Sequence, residues 1–296
     1  MDRLRNMEVF VAVAEAGSLA AAATRLRLSP PAVTRAIAAL ETHLGARVFN
    51  RTTRHLSLTE PGRRFLHAAR RLLADVDAAE KTAAGAAATP SGHLTVTASV
   101  TFGRSHVAAL VLDFLRAEPR VTASLLLLDR VVNLVDEGID VAVRIAHLPD
   151  STLLARRVGA VRRILVASPD YLVERGVPAT PEDLKAHAII AFTGLLPGRE
   201  WRFTANGRAA AIALTPRFEV NDAVSAIAGA ERGYGVTVAL SYMVADALAD
   251  GRLVPVLEAF APPAVPVHLV YPQGGAMTAK VRGFLDFATP RLRAAI

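Results

Sequence analysis

The 296-residue sequence contains no cysteine, and no apolar run approaches the ~18 residues that a membrane-spanning helix needs. The lack of cysteine excludes disulfide frameworks, thiolate metal sites and cysteine-based redox sensing. The N-terminus also lacks the apolar core of a secretory signal. We therefore expect a soluble, cytoplasmic protein that has no membrane partner.

Recognisable catalytic motifs are also missing. The sequence has no nucleophile elbow, HExxH, P-loop or GxGxxG, and its eight histidines show no metal-ligand spacing. A Gly-x-Gly at Gly233–Gly235 precedes a predicted strand, the wrong order for a dinucleotide fold. The prediction is a protein that is not an enzyme and needs no cofactor or metal. Turnover of a metabolite would favour the alternative, an enzyme.

Positive charge is concentrated at one end of the chain. Residues 1–71 hold 12 Arg and 5 Asp or Glu, a net charge of +7, whereas residues 72–296 hold 22 basic and 22 acidic residues. Such a basic head on a neutral body is typical of a nucleic-acid-binding domain. A ligand-independent architectural DNA binder, the second alternative, would be basic throughout.

A helix with two distinct faces is predicted between residues 29 and 44. Ser29 is a good N-cap whose hydroxyl can accept a backbone N–H, and Pro30 suits the first helical position. One buried stripe recurs at helical spacing, formed by Val33, Ile37, Leu40 and Leu44. Two earlier helices, near 3–16 and 19–26, complete a small core.

The other face of this helix is small, polar and cationic, as a helix in a DNA major groove requires. It carries Pro31, Thr34 and Arg35. The segment 47–59 suits a two-stranded wing, whose Arg51 and Arg54 would contact phosphates or the minor groove. Double-stranded DNA is the predicted partner. The alternative is a small helical bundle with a solvated basic loop.

A second long helix should follow Thr59. Its apolar positions alternate in steps of four and three, the seam of a two-stranded coiled coil: Phe65, Ala69, Leu72, Val76, Ala79 and Ala83. We expect dimerisation through this seam, above all through Phe65, Leu72 and Val76. The alternative is a helix that packs within its own chain on the next domain.

From residue 92 the pattern changes to alternating strands and helices, which predicts open parallel α/β sheets arranged in two lobes. The expected strands are 94–99, 121–128 (buried on both faces), 139–144, 163–167, 188–192, 218–220, 235–240 and 267–271. The expected helices are 106–117, 133–137, 222–232 and 278–290. Ligands of such folds bind beyond the carboxyl ends of strands, near 99–101, 144–147, 192–193 and 221–222.

The sequence resembles the LysR-type transcriptional regulators over its whole length. The block SLAAAATRLRLSPPAVTRAIAALETHLGARVFNRTTRHLSLTEPG and its position near the N-terminus carry the resemblance. It implies an all-α winged helix-turn-helix (1–58), a linker helix and hinge (59–91), and an effector-binding domain like periplasmic binding proteins (92–296). Lobe one would span about 92–162 and 267–296, and lobe two about 163–266. A periplasmic solute receptor, the remaining alternative, would need an export signal.

The resemblance also implies roles for residues. Many relatives carry Gln at the position of Pro30, so Pro31, Thr34 and Arg35 are the matched base-reading candidates, with Ser29 and Pro30 at the helix tip. The implied effector contacts are Ser99, Thr101, Arg144, Thr193 and Asn221, and the effector is an organic acid or aromatic metabolite. Its binding would close the lobes and change the spacing of DNA-binding heads in a dimer or tetramer, and with it contact to RNA polymerase. Activation and repression both remain open.

Overall fold

A computed structural model describes residues 2–51, 56–83, 89–148, 152–196, 198–205, 208–273 and 277–296. The head contains helices α1 (Arg3–Ala16), α2 (Leu19–Leu26) and α3 (Pro30–Leu44), then the antiparallel strands β1 (Phe49–Arg51) and β2 (Leu56–Leu58). Val9, Phe10 and Val13 of α1 are buried against Val33 and Ile37 of α3. The predicted winged helix-turn-helix is therefore present, with the apolar stripe of α3 forming its core.

The long helix α4 (Glu60–Ala83) begins directly after the wing. Thr59 caps it, because its Oγ1 accepts the N–H of Gly62 at 3.0 Å. The same hydroxyl donates to the carbonyl of Arg47 at 2.7 Å. A Cβ at Gly62 would lie 2.0 Å from the carbonyl oxygen of Val48, so only glycine lets α4 approach the wing this closely. The start of α4 is thus fixed to the head.

The rest of the chain, from Gly92 onward, contains both strands and helices. The strands are β3 (Gly92–Ala98), β4 (Val121–Leu127), β5 (Val141–Ile145), β6 (Leu153–Val161), β7 (Arg163–Ala167), β8 (Ile189–Phe192), β9 (Glu200–Ala205), β10 (Arg208–Ala213), β11 (Phe218–Val220), β12 (Val236–Leu240), β13 (Val254–Val256) and β14 (Val265–Pro272). The helices are α5 (Val100–Phe102), α6 (Ala108–Ala117), α7 (Pro169–Arg175), α8 (Ala223–Glu231), α9 (Ala245–Ala249) and α10 (Ala279–Ala295). Short 3-10 turns lie at Pro181–Ala186, Ser241–Met243 and Glu258–Phe260.

Two five-stranded mixed sheets organise these elements into two lobes. The lobe-one sheet has the order β4-β3-β5-β14-β6, and the lobe-two sheet has the order β11-β8-β12-β7-β13. In lobe one, β3 pairs parallel with β4 and β5, whereas β14 pairs antiparallel with β5 and β6. The β9–β10 hairpin packs on lobe two through Trp201 and Phe203. The predicted two-lobed α/β architecture is confirmed, but the expectation of parallel sheets is wrong, because β14 in lobe one and β7 in lobe two run antiparallel to their neighbours.

The chain passes between the lobes where β6 ends and β7 begins. There the backbone N–H of Arg162 donates to Oγ of Ser241 at 3.2 Å, and the N–H of Ser241 donates to the carbonyl of Arg162 at 2.8 Å. Leu240, at the end of lobe-two strand β12, is buried in the core of lobe one. This crossing therefore brings the carboxyl end of β12 against the first lobe.

Several sequence-based expectations for the lobes are wrong. The helix expected from residue 106 starts at Val100 and passes through a π-helical turn, Gly103–Val107, before α6. β4 is an edge strand with Leu126 38% exposed, so it is not buried on both faces. The expected helix 133–137 is a hydrogen-bonded turn, because the side-chain oxygen of Asn133 accepts the N–H of Val135 at 3.1 Å.

Candidate functional site

The exposed end of α3 begins with Ser29 and two prolines. Ser29 has the extended backbone of an N-cap, but its hydroxyl makes no capping hydrogen bond, in contrast to the prediction. Pro31 at the second helical position has no N–H to donate, and the N–H of Ala32 at the third is taken by the Ser29 carbonyl. The Ser29 carbonyl instead accepts the N–H groups of Ala32 and Val33, at 2.9 and 3.2 Å. The helix is therefore capped through the backbone.

The outer face of α3 carries the predicted base-reading residues. Ser29, Pro30, Pro31 and Arg35 are exposed, and Thr34 is half-buried. Oγ1 of Thr34 donates to the carbonyl of Pro30 at 3.1 Å, and Nε of Arg35 donates to the carbonyl of Pro31 at 3.4 Å. The face is small at its tip and ends in one guanidinium, a shape that fits a major groove.

The wing follows Gly45, which ends α3 with φ 63°, and strand β1 pairs with β2 from Phe49 opposite Leu58. Arg51 is the last residue of β1. Its side chain and the whole of Arg54 lie outside the described residues.

The residues of the predicted dimer seam on α4 lie in two different environments. Phe65 packs on Phe10 of α1, and Ala69 is fully buried in the head core. Phe65 is half-buried against the head core of its own chain, and its place in an intermolecular seam stays a prediction. Leu72 is 44% exposed and Val76 is partly exposed one turn further along. The seam is therefore more exposed at Leu72 than at Phe65 or Ala69.

A cleft of about 220 Å³ opens between the two lobes. It lies at the carboxyl ends of β3, β5, β8 and β12, where ligands of open α/β folds bind. Most of its lining residues are apolar, among them Phe192, Leu195 and Leu240. The polar side chains at its wall are Thr97, Ser99, Asp129, Arg130, Arg144 and Tyr242.

The cleft brings together two of the five predicted effector contacts, Ser99 and Arg144. Thr101 lies inside α5, because the helix starts earlier than expected, and does not line the cleft. Thr193 donates to the carbonyl of Val220 at 3.3 Å, while its neighbours Phe192 and Gly194 reach the cleft. Asn221 is exposed one residue before Asp222, the actual N-cap of α8, and also lies outside the cleft lining.

Arg144 is the half-buried cation of the cleft. Its Nη2 donates to the carbonyl of Val132 at 2.7 Å, and burial lowers the pKa of the guanidinium. Within the described parts of the chain, no carboxylate forms an ion pair with it. The neighbouring Arg130, in contrast, is held by both carboxylate oxygens of Glu137 at 2.8 and 2.6 Å. Arg144 is therefore the cation available to a ligand.

Tyr242 is a lining residue that sequence reasoning missed. Burial raises the pKa of its phenol, as does the nearby Asp129, and the Ser99 hydroxyl opposes this. Its buried hydroxyl has no hydrogen-bond partner of normal geometry among the described residues. The ring packs edge-on against Phe102, with 5.1 Å between centroids. The available signal was an aromatic residue just past the carboxyl end of a predicted strand.

Comparison with protein families assigns both parts of the chain. Residues 4–63 match the family described as "Bacterial regulatory helix-turn-helix protein, lysR family", and residues 87–293 match "LysR substrate binding domain". The chain belongs to the LysR family. This LysR-type regulator binds DNA through its head, and a small-molecule effector bound by its two-lobed domain controls its activity.

Relatives of the regulator align over nearly its whole length. It is 34% identical to the HTH-type transcriptional repressor PA14_22550 of Pseudomonas aeruginosa, covering 97% of this chain and 91% of that protein. The HTH-type transcriptional regulator CrgA of Neisseria meningitidis is 31% identical, covering 97% and 96%. The sequence-based assignment to the LysR-type regulators is therefore confirmed.

Solved structures share the fold. The CrgA structure superimposes with a TM-score of 0.62 at 31% identity, covering 97% of this chain and 98% of that one. Full-length AphB, a Vibrio cholerae virulence activator, gives 0.62 at 27% identity, with 98% and 99% covered. Among the described helices, none is long and apolar enough to cross a membrane.

Proposed function

We propose that the regulator reads DNA through the exposed end of α3, with Arg35 as the main base-contacting side chain. Pro31 and Thr34 would contact base edges or thymine methyl groups beside it, and Ser29 and Pro30 would lie at the groove edge. The support is their shared exposure on one face whose opposite side is the head core. Arg51 and Arg54 of the wing would add phosphate or minor-groove contacts.

The effector is a small organic acid with an apolar or aromatic body. The observation that carries this assignment is Arg144, a half-buried guanidinium without an ion-pair partner among the described residues, in a mostly apolar cleft. Arg144 would bind the carboxylate. Ser99 and the Tyr242 hydroxyl would donate to the ligand's remaining polar atoms, while Phe192, Leu195 and Leu240 enclose its body. Thr101, Thr193 and Asn221 are not among the residues that line the cleft, so we propose no direct contact for them.

Regulation would proceed by binding and not by turnover. Two chains would associate through Leu72 and Val76 of α4, and dimers would pair into tetramers. Effector binding would close the lobes about the crossing at Arg162 and Ser241, and so change the spacing of the heads. Altered DNA bending would then change contact with RNA polymerase in the cytoplasm.

The DNA-binding proposal is tested by fluorescence anisotropy with DNA from immediately upstream of the regulator's own gene, at several salt concentrations. We expect tighter binding than to random DNA of equal length, and a preference that persists at physiological salt. Equal and steeply salt-dependent binding to both DNAs would mean phosphate contacts alone.

The effector assignment is tested by a thermal-shift screen of small carboxylic acids, followed by titration of a hit. Arg144→Gln should weaken binding about tenfold or more, because it removes a charge-assisted pair. Arg130→Gln is the matched control, since this arginine also lines the cleft but is paired with Glu137. Equal effects of the two substitutions would refute Arg144 as the carboxylate ligand.

A further inference from the structure

A second, much smaller cavity lies in lobe two, beneath the β9–β10 hairpin. It has a volume of about 10 Å³, room for about one water-sized group. Its lining includes two arginines and two aromatic residues among aliphatic side chains: Arg163, Leu165, Leu196, Trp201, Arg202, Phe203, Val238 and Pro262. The cavity is thus a narrow apolar slot bordered by positive charge.

One N–H donor of the half-buried Arg163 guanidinium, that of Nε, lacks a hydrogen-bond partner among the described residues. Burial lowers the pKa of this guanidinium, and the neighbouring positive charge of Arg202 lowers it further. Arg156 in lobe one shows the ordinary arrangement, since its Nη1 is 3.0 Å from Oδ1 of Asp286 and 3.2 Å from Oγ1 of Thr289.

A buried N–H donor without an acceptor is unfavourable, and on a guanidinium an anionic oxygen is the acceptor that compensates it best. Two guanidinium groups at the mouth of a slot present planar N–H donors, whose geometry matches a carboxylate. The free volume admits one oxygen atom of such a group beside the Trp201 ring. We propose that Arg163 and Arg202 form a second anion site, separate from the effector cleft, which binds a short-chain carboxylate.

The two sites share one loop. Gly194 and Leu195 line the effector cleft, and the next residue, Leu196, lines the lobe-two cavity. A carboxylate held at Arg163 would restrain Leu196 from one side while the effector contacts Leu195 from the other. A carboxylate in the second site is therefore positioned to change how the effector binds in the cleft.

The chain supplies its own probe, because Trp201 is its sole tryptophan and is only 2% exposed. Acetate is titrated into the full-length protein, with potassium chloride at equal ionic strength as the reference, while Trp201 emission is recorded. We expect a saturable change with acetate and none with chloride. A response to phosphate without one to acetate, or equal responses to acetate and chloride, would overturn the proposal.

Substitutions test whether Arg163 and Arg202 cause the change in Trp201 emission on acetate titration. Arg163→Gln should weaken acetate binding about tenfold or more, and Arg202→Gln, at an exposed position, should also weaken it. Arg162→Gln is the matched control, since it removes the same charge one residue away from the cavity lining, and it should stay within about twofold of wild type. Unchanged titrations in both cavity variants would refute the site. The readout needs neither DNA nor effector, so failure here is distinguishable from failure of the DNA-binding or effector assignments.

Discussion

The ring of Phe65 on α4 lies 5.3 Å from the ring of Phe10 on α1, measured between centroids. Phe10 is also 5.3 Å from Phe49 of the wing, so one buried ring joins the first helix, the wing and the long helix. The first turns of α4 are consequently part of the DNA-binding head. Phe65 of α4 and Val33 and Ile37 of α3 pack on the same core.

Phe65→Ala should lower the free energy of unfolding by about 2–4 kcal/mol, because it removes a packed aromatic ring from the head core. Urea denaturation followed by circular dichroism measures the change. Arg64→Ala, on the exposed side of the same helix, should stay within about 0.5 kcal/mol of wild type. Equal losses in the two variants would contradict a core role for Phe65.

Replacing both Leu72 and Val76 with Glu should dissociate the dimer, because two charges would enter an apolar seam between chains. Sedimentation velocity without DNA measures the mass. Arg64→Glu also changes charge on α4 but lies outside the seam, and it should leave the mass unchanged. A double variant that remains dimeric would place the dimer interface elsewhere.

Arg35→Ala should weaken binding to the specific DNA site by about 1–3 kcal/mol, the range for losing a base contact, and affect random DNA less. Competition anisotropy measures both. Arg25→Ala removes the same charge from α2, where Arg25 is paired with Glu15 at 2.8 Å, and should have the smaller effect on specificity. Equal losses on specific and random DNA for Arg35→Ala would make it a phosphate contact.

Acidification should destabilise the regulator through its histidines. Burial is the largest cause lowering the pKa of His93, His106, His187 and His268 below 6.5. Below about pH 6.5 the unfolded chain therefore binds more protons than the folded one, and stability falls as the pH decreases. Urea midpoints at about pH 7.5 and about pH 5.5 measure this loss.

Substitution of one histidine tests whether buried histidines cause this loss of stability at low pH. His106→Gln should reduce the loss between the two pH values, because the Nε2 atom of His106 is buried without a partner among the described residues. His43→Gln, at an exposed position near the end of α3, should leave the loss unchanged. An unchanged pH dependence in His106→Gln would show that other groups cause it.

Local signals predict the head almost completely from sequence. Ser18 caps α2 by accepting the N–H of Ala21 at 3.1 Å, and Gly45 ends α3, both as expected from residue type. Tertiary contacts override such signals elsewhere. Pro290 should end the last helix, yet α10 continues to Ala295, because Leu292 is buried in the core of lobe one.

The effector cleft is predicted only in part, because its lining comes from strand ends that are far apart in sequence. Ser99 follows β3 directly, and so a local rule finds it. Tyr242 reaches the same cleft only through the crossing of Arg162 and Ser241, a contact that no local pattern encodes. The lining of the lobe-two cavity also comes from residues far apart in sequence, since Arg163 and Arg202 lie on strands of different sheets.

The position of β14 between β5 and β6 determines when lobe one can form during synthesis. Strand β6 ends at Val161, but its sheet neighbour begins only at Val265, after the whole of lobe two. At ribosomal rates of about 5–20 residues per second, β6 waits roughly 5–20 s for its partner. Lobe two can therefore fold first on the ribosome, and a chain that stops before β14 leaves β6 as an unpaired edge open to aggregation.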